Sequence, residues 1–206
     1  MPKITLCGIQ DIHLPLTPIE EFNVVSIKGT PEIDIDKYEL SIEGLVENPL
    51  TLKCSDLLSY PSITKIIMLK CVEGWSGIGE WTGIPLKDIL KEAKIRHNAR
   101  TVVFSAGDGY STSLPVKDSL KDSVMLSYKL NGEALPKEHG YPVRVVVEGK
   151  YGYKWIKWLT HIKVIKGAYK GYWERQGYSN KADIDSPGKT KLFKLKQMHK
   201  KLMQNK

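Results

Sequence analysis

The sequence predicts an α+β fold rich in β-strands, on three observations. Apolar residues recur in short or period-two runs, helical patterns are few and brief, and turn dipeptides separate the runs. Taken in order, Tyr38-Glu-Leu-Ser-Ile-Glu alternates and ends at Gly44, as a half-buried strand does. Ser55-Asp-Leu-Leu then starts a short helix with Ser55 as its cap, and Ile63 to Leu69 forms a second strand. Pro85-Leu-Lys-Asp-Ile-Leu-Lys-Glu-Ala places proline near a first helical turn, where its missing N–H has no intrahelical partner to lose. Thr101 to Ser105 is a strand, Val116-Lys-Asp-Ser-Leu a third brief helix, and Val124 to Leu130, Val143 to Val147 and Trp155 to Ile165 are further strands. Turns are expected at Asn48-Pro, Asp108-Gly, Asn131-Gly and Gly140-Tyr-Pro, and no repeat or low-complexity stretch appears.

A chain of 206 residues can bury a substantial core as one domain, whereas two domains would each be small. The formal charge of +8 suggests nucleic acid until it is located. Lys189, Lys191, Lys194, Lys196, Lys200, Lys201 and Lys206 supply nearly all of it, leaving a body of about +1 without an extended basic face. Cysteines at 7, 54 and 71 form no CxxC pair and no even-numbered framework, so neither structural zinc nor disulfides are expected. The first residues show no long apolar core, no twin arginine and no small-residue cleavage site, so a cytoplasmic location is the expectation.

Cys71 follows the apolar run Ile63-Thr-Lys-Ile-Ile-Met-Leu-Lys and opens a loop, Val-Glu-Gly-Trp-Ser. A thiolate at the rim of a sheet can ligate a soft metal, although a lone cysteine there is more often a small buried hydrophobe. The segment Leu-Lys-Cys-Val-Glu-Gly-Trp-Ser, with Glu-Trp-Thr-Gly-Ile-Pro-Leu beyond it, resembles the cysteine segment of the sulfite oxidase family of molybdenum-pterin enzymes. Within that family it is most similar to the molybdenum subunit of bacterial periplasmic methionine sulfoxide reductases. Leu130-Asn-Gly-Glu-Ala-Leu-Pro-Lys-Glu-His-Gly-Tyr-Pro-Val-Arg-Val-Val-Val, continuing to Tyr-Gly-Tyr-Lys-Trp-Ile-Lys-Trp-Leu, resembles the family's pterin-binding stretch.

The resemblance spans roughly Phe22 to Tyr178 and implies a sulfite oxidase-type molybdopterin-binding domain over 22–180. An N-terminal extension (1–21) and a basic C-terminal tail (181–206) flank it. It implies Cys71 as the metal ligand and His139, Arg144 and Lys157 as pterin contacts, with Trp155 and Ile156 holding the cofactor through backbone groups. Such a set suits the ligand, because a guanidinium grips a phosphate with two hydrogen bonds, lysine adds a point charge and histidine meets a polar ring. Asp108 and Asn23 fall near further pterin contacts of the family, although Asp108-Gly also reads as a plain turn. Trp173-Glu-Arg-Gln-Gly-Tyr-Ser resembles the segment that sets a tyrosine over the metal, which implies Tyr178 as a catalytic donor.

The departures bear on substrate. Where sulfite oxidases carry arginines for an oxyanion, this chain has Glu73, Gly74, Trp75 and Ser76, and an anion would meet like charge there. The resemblance therefore implies two-electron oxygen-atom transfer on a small molecule, with sulfoxide or N-oxide reduction favoured over sulfite oxidation. The expected cofactor is molybdenum-molybdopterin, with tungsten also admitted. With no cysteine set for a cluster and no haem motif, electrons are expected from a separate partner, to a monomeric domain. A second reading stays open: a cofactor-free β-rich binding module. Its tail, with apolar residues at 192, 195, 198 and 202 among lysines, would contact nucleic acid or an anionic membrane.

Overall fold

Alternating runs become two five-stranded sheets in the computed structural model, which describes residues 15–184. In chain order the elements are β1 (Leu40–Gly44), β2 (Leu50–Leu52), α1 (Cys54–Ser59), β3 (Ile63–Lys70), β4 (Ser76–Pro85), α2 (Leu86–Ala93), β5 (Thr101–Ala106) and β6 (Ser111–Pro115). There follow α3 (Val116–Ser119), β7 (Val124–Leu130), β8 (Glu133–Ala134), β9 (Arg144–Val147), β10 (Leu159–Ile165) and α4 (Tyr172–Arg175). One sheet runs β2-β1-β10-β5-β6, with β1 and β10 parallel in the register Ser41 to His161 and the other pairs antiparallel. In the second, β3-β4-β7 is antiparallel, and β8 and β9 both pair with β7. The architecture is α+β and rich in β, as the sequence predicts.

The strands turn their apolar residues into a shared core. Leu40 and Ile42 of β1, Val102 and Phe104 of β5, and Leu159, Ile162 and Val164 of β10 turn inward, and Trp81, Trp155 and Trp158 fill the space among them. Helix α2 begins after Pro85 and buries Leu86, Ile89, Leu90 and Ala93, the i, i+3, i+4 and i+7 positions. Asn131 and Gly132, both at positive φ, make the two-residue turn between β7 and β8. Among the described residues no helix is long and apolar enough to cross a membrane.

Three expectations change. Ser55 lies inside α1; the N-cap position is Lys53, whose N–H donates to the carboxylate of Asp56 in the first turn at 2.8 Å. Residues 155–158 are not strand: β10 starts at Leu159, because the carbonyls of Trp155 and Ile156 are taken by Arg144 and the Val145 N–H. Strand β4 was not expected, since Ser-Gly-Ile-Gly-Glu-Trp-Thr-Gly reads as a loop. Its glycines are spaces for neighbours: a Cβ on Gly77 would lie 2.5 Å from the Phe22 ring, and one on Gly79 2.6 Å from Leu130.

Gly83 sits at the irregularity where β4 shifts register on β7, and a Cβ there would lie 2.1 Å from the Leu126 carbonyl oxygen. Since backbone cannot yield as a side-chain tip does, Gly83→Ala is expected to cost about 2–3 kcal/mol through overpacking. Urea unfolding checks this, and an unchanged midpoint would show that the strands part freely.

The described residues of the N-terminal extension and of the start of the tail are bonded to the body. Thr17 pairs with Ile78 and accepts from Asn131, and Ala182 accepts the Tyr151 N–H. The amphipathic pattern at 192–202 lies outside the described residues, as does Cys7.

Candidate functional site

Loops from both sheets meet at one cleft, enclosing about 920 Å³ including its open mouth. They are the β3–β4 turn, the β5–β6 turn, the stretches before and after β9, the segment following α4, and the extended chain after Phe22. Phe22 is buried against Trp81 and His139, with ring centroids 6.1 Å from each, and this anchor carries Asn23 into the cleft. All nine residues singled out from the sequence line this cleft: Asn23, Cys71, Asp108, His139, Arg144, Trp155, Ile156, Lys157 and Tyr178.

One end of the cleft is cationic. Arg144 opens β9 and is buried; its Nη1 donates to the His139 carbonyl at 3.0 Å and its Nη2 to the Trp155 carbonyl at 3.1 Å, while the guanidinium lies 5.0 Å over Trp81. Among the described residues its Nε has no partner, and burial holds its pKa down at about 9. Lys157 donates to the Glu138 carbonyl at 2.6 Å and sits 4.1 Å over Trp158. Burial, and then the charge of Arg144, lower it to about 7. His139 is pushed down to about 4 by burial and by those two cations, so its imidazole is neutral at pH 7. Asp108 is buried too, and its Oδ1 accepts the Tyr110 N–H at 2.9 Å, so it holds its turn and lines the cleft together. Trp155 and Ile156 bury their side chains in the core.

The other end is built on Cys71. The Cys71 N–H donates to the Trp75 carbonyl at 2.9 Å and its carbonyl accepts the Gly74 N–H at 3.2 Å, a tight turn needing positive φ at Gly74. The half-buried thiol accepts the Glu73 N–H at 3.5 Å, and burial pushes its pKa up. Without a cation it stays a thiol; a bound metal would take it as thiolate. Tyr178 is raised to about 12, by burial and then by the nearby charges of Glu73 and Cys71, so its hydroxyl keeps its proton at neutral pH.

Tyr110, Tyr153, Trp158 and Trp173 also line the cleft and were not singled out as site residues. The aromatic run Tyr-Gly-Tyr-Lys-Trp beside Lys157 is the signal that finds Tyr153; Tyr110 follows from the Asp108-Gly turn. Tyr110 donates to the Tyr153 carbonyl at 2.6 Å, and Tyr153 to the Ser179 carbonyl at 2.7 Å, which ties the wall together.

These residues fit an anionic cofactor that brings its own metal ligands. Among the described residues neither Arg144 nor Lys157 makes an ion pair. Arg144, buried and with its Nε unpartnered among the described residues, is costly unless an anion completes it, and the half-buried Lys157 adds a second positive charge beside it. Among the described residues no group of three or more His, Cys, Asp or Glu side chains could hold a metal ion, so a metal at Cys71 would take its other ligands from an organic group.

The shifts make stability depend on pH with a definite sign. His139 and Lys157 have folded values below their ordinary 6.5 and 10.5, so the unfolded chain binds more protons between about 4 and 6.5 and between about 7 and 10.5. Stability of the cofactor-free chain is expected to rise with pH through both windows. Urea unfolding at pH 5, 7 and 9 checks it: the midpoint should climb, and climb less above pH 7 in Lys157→Met.

Comparison with known proteins agrees with this chemistry. The family model described as oxidoreductase molybdopterin binding domain matches residues 27–173. The chain is 36% identical over 151 residues to the uncharacterized oxidoreductase YuiH of Bacillus subtilis, covering 73% of this chain and 76% of that protein. It is 31% identical over 176 residues to the protein-methionine-sulfoxide reductase catalytic subunit MsrP of Ralstonia nicotianae, covering 73% and 53%. Among solved structures, the sulfane dehydrogenase SoxCD from Paracoccus pantotrophus matches with a TM-score of 0.66 and 28% identity, over 81% of this chain and 51% of that one. The chain thus spans about half the length of the last two. With most of its length inside the family model, and with a mitochondrial sulfite oxidase also among its relatives, the chain belongs to the oxidoreductase molybdopterin-binding domain family and is a molybdopterin-dependent oxidoreductase of the sulfite oxidase type.

Proposed function

We propose that this domain reduces sulfoxides or N-oxides by two-electron oxygen-atom transfer in preference to oxidising sulfite. The observation that carries the reading is the division of the cleft, with Arg144 and Lys157 at one end and Glu73, Trp75, Trp173 and Tyr178 around Cys71 at the other. A sulfite dianion arriving beside Cys71 would meet Glu73 and rings, with no guanidinium to receive it. A neutral oxide meets no such penalty.

Molybdenum-molybdopterin supplies the two-electron oxygen-atom chemistry when bound. The chain's residues do the rest. Cys71 would hold the metal as thiolate, while Arg144, Lys157 and neutral His139 would hold the phosphate and pterin, and Asn23, Asp108 and the backbone at Trp155 and Ile156 would frame them. Tyr178, protonated at neutral pH, can donate a hydrogen bond to a substrate oxygen. Trp75, Trp173 and Tyr153 line that side with apolar rings. Reduction consumes two electrons and two protons and releases the oxygen as water; a separate electron-donor protein supplies the electrons. The buried Arg144 with an Nε unpartnered among the described residues supports this reading over the cofactor-free alternative.

The test is expression in a host that makes molybdopterin, elemental analysis, and two assays: methionine sulfoxide or dimethyl sulfoxide with a reduced viologen dye, and sulfite with ferricyanide. Near-stoichiometric molybdenum or tungsten with faster oxide reduction is the expected result. Faster sulfite oxidation would overturn the reading.

A further inference from the structure

The acidic, aromatic end of the cleft has a shape and charge of its own. Tyr178 stands edge-on to Tyr153, with centroids 5.2 Å apart at 83°, and tilted against Trp173, at 5.0 Å and 40°. The three rings therefore form one wall with a corner, and Trp75 lines the same cleft. Glu73 lines the same cleft as these rings. Among the described residues Glu73 has no cation within ion-pair distance. Aromatic faces carry negative quadrupole density, and with a carboxylate beside them they attract alkylated cations while losing nothing to their poor hydrogen bonding.

We infer that this wall selects substrates whose oxygen is bonded to a positively charged, alkylated nitrogen, tertiary amine N-oxides above sulfoxides and far above oxyanions, with Glu73 as the specificity-determining residue. The inference rests on the oxide-reductase reading given above. A tertiary amine N-oxide carries a full formal positive charge on nitrogen and its negative charge on oxygen. The cation's alkyl groups face the rings and Glu73, and the oxygen is left for the Cys71 side, where the Tyr178 hydroxyl can donate to it. In the reaction the N–O bond breaks, the oxygen takes up two protons and leaves as water, and two electrons from a reduced donor protein leave nitrogen with its lone pair. The amine product is protonated at neutral pH, so it also fits the wall and should inhibit competitively.

The selection is measured on the full chain without cofactor, by tryptophan fluorescence and ligand-observed NMR, using choline and its neutral carbon isostere. Choline is expected to bind roughly tenfold tighter than the isostere, on the scale of one cation–aromatic contact supported by a carboxylate. Glu73→Gln should remove most of that preference while leaving the circular dichroism spectrum unchanged, and Trp173→Ala should weaken choline more than the isostere. Equal binding of the two ligands, no choline binding at millimolar concentration, or an undiminished preference in Glu73→Gln would overturn the inference. Because this readout needs no metal, the two readings fail separately: a loaded enzyme that reduces no oxide, made of a chain that still prefers choline, would sink the reductase reading alone. In a loaded, active enzyme, kcat/KM for trimethylamine N-oxide relative to dimethyl sulfoxide should fall in Glu73→Gln.

Discussion

Cys71→Ser is expected to lower turnover of the loaded enzyme by roughly a thousandfold or more while leaving the fold in place. The fold should persist because the turn is held by main-chain bonds, Cys71 N–H to the Trp75 carbonyl and Gly74 N–H to the Cys71 carbonyl, which serine keeps. The thiol is half-buried, so its exchange for a smaller hydroxyl leaves little cavity. The metal site changes more. A serine hydroxyl is a hard, weakly acidic donor, and it replaces a soft ligand in a cleft where, among the described residues, no set of three His, Cys, Asp or Glu side chains stands ready to hold a metal. Metal content, pterin content and turnover measured on the same samples check this. Pterin should be retained more than metal, since Arg144, Lys157 and His139 are untouched. A variant with full turnover would remove Cys71 from the centre of the site.

Much of this was legible in the sequence where chemistry and local pattern coincide. The strand β1 declares itself by alternation, β3, β5, β7 and β9 by short apolar runs, and α2 by Pro85 and its apolar spacing. The nine site residues, spread from Asn23 to Tyr178, line one cleft. What was not legible depends on long-range approach. The glycines of β4 look like loop residues until Phe22, Leu130 and the Leu126 carbonyl are seen filling the space above them. Residues 155–158 are as apolar as a strand, yet Arg144 claims the Trp155 carbonyl and so bends the chain around the cationic end of the cleft. The pairing of Lys154 with Glu174 was equally hidden, because nothing local joins residues twenty apart, one before β10 and the other in α4.

That pair gives the second large effect. Lys154 and Glu174 form a fully buried ion pair; the Lys154 ammonium also donates to the Ser113 carbonyl at 2.8 Å, and Thr112 donates to the same carboxylate oxygen at 2.6 Å. Among the described residues the second carboxylate oxygen has no partner, and Gly171 brings the chain so near that a Cβ there would lie 2.7 Å from it. Lys154→Met would leave the carboxylate with Thr112 alone, and removal of one partner of a buried pair costs about 3–5 kcal/mol. Helix α4 has only four residues and cannot hold itself, so the cost should fall on the segment that carries Trp173 and Tyr178 into the cleft. A double variant, Lys154→Met with Glu174→Leu, separates stability from position. Replacing the whole pair by apolar side chains should recover most of the lost stability in urea. Turnover should stay low, because the bonds from β6 and from the Lys154 loop that fix α4 are gone. If the single variant unfolds at the wild-type urea concentration, the pair is not a strut; if the double variant regains both stability and turnover, packing alone places Tyr178.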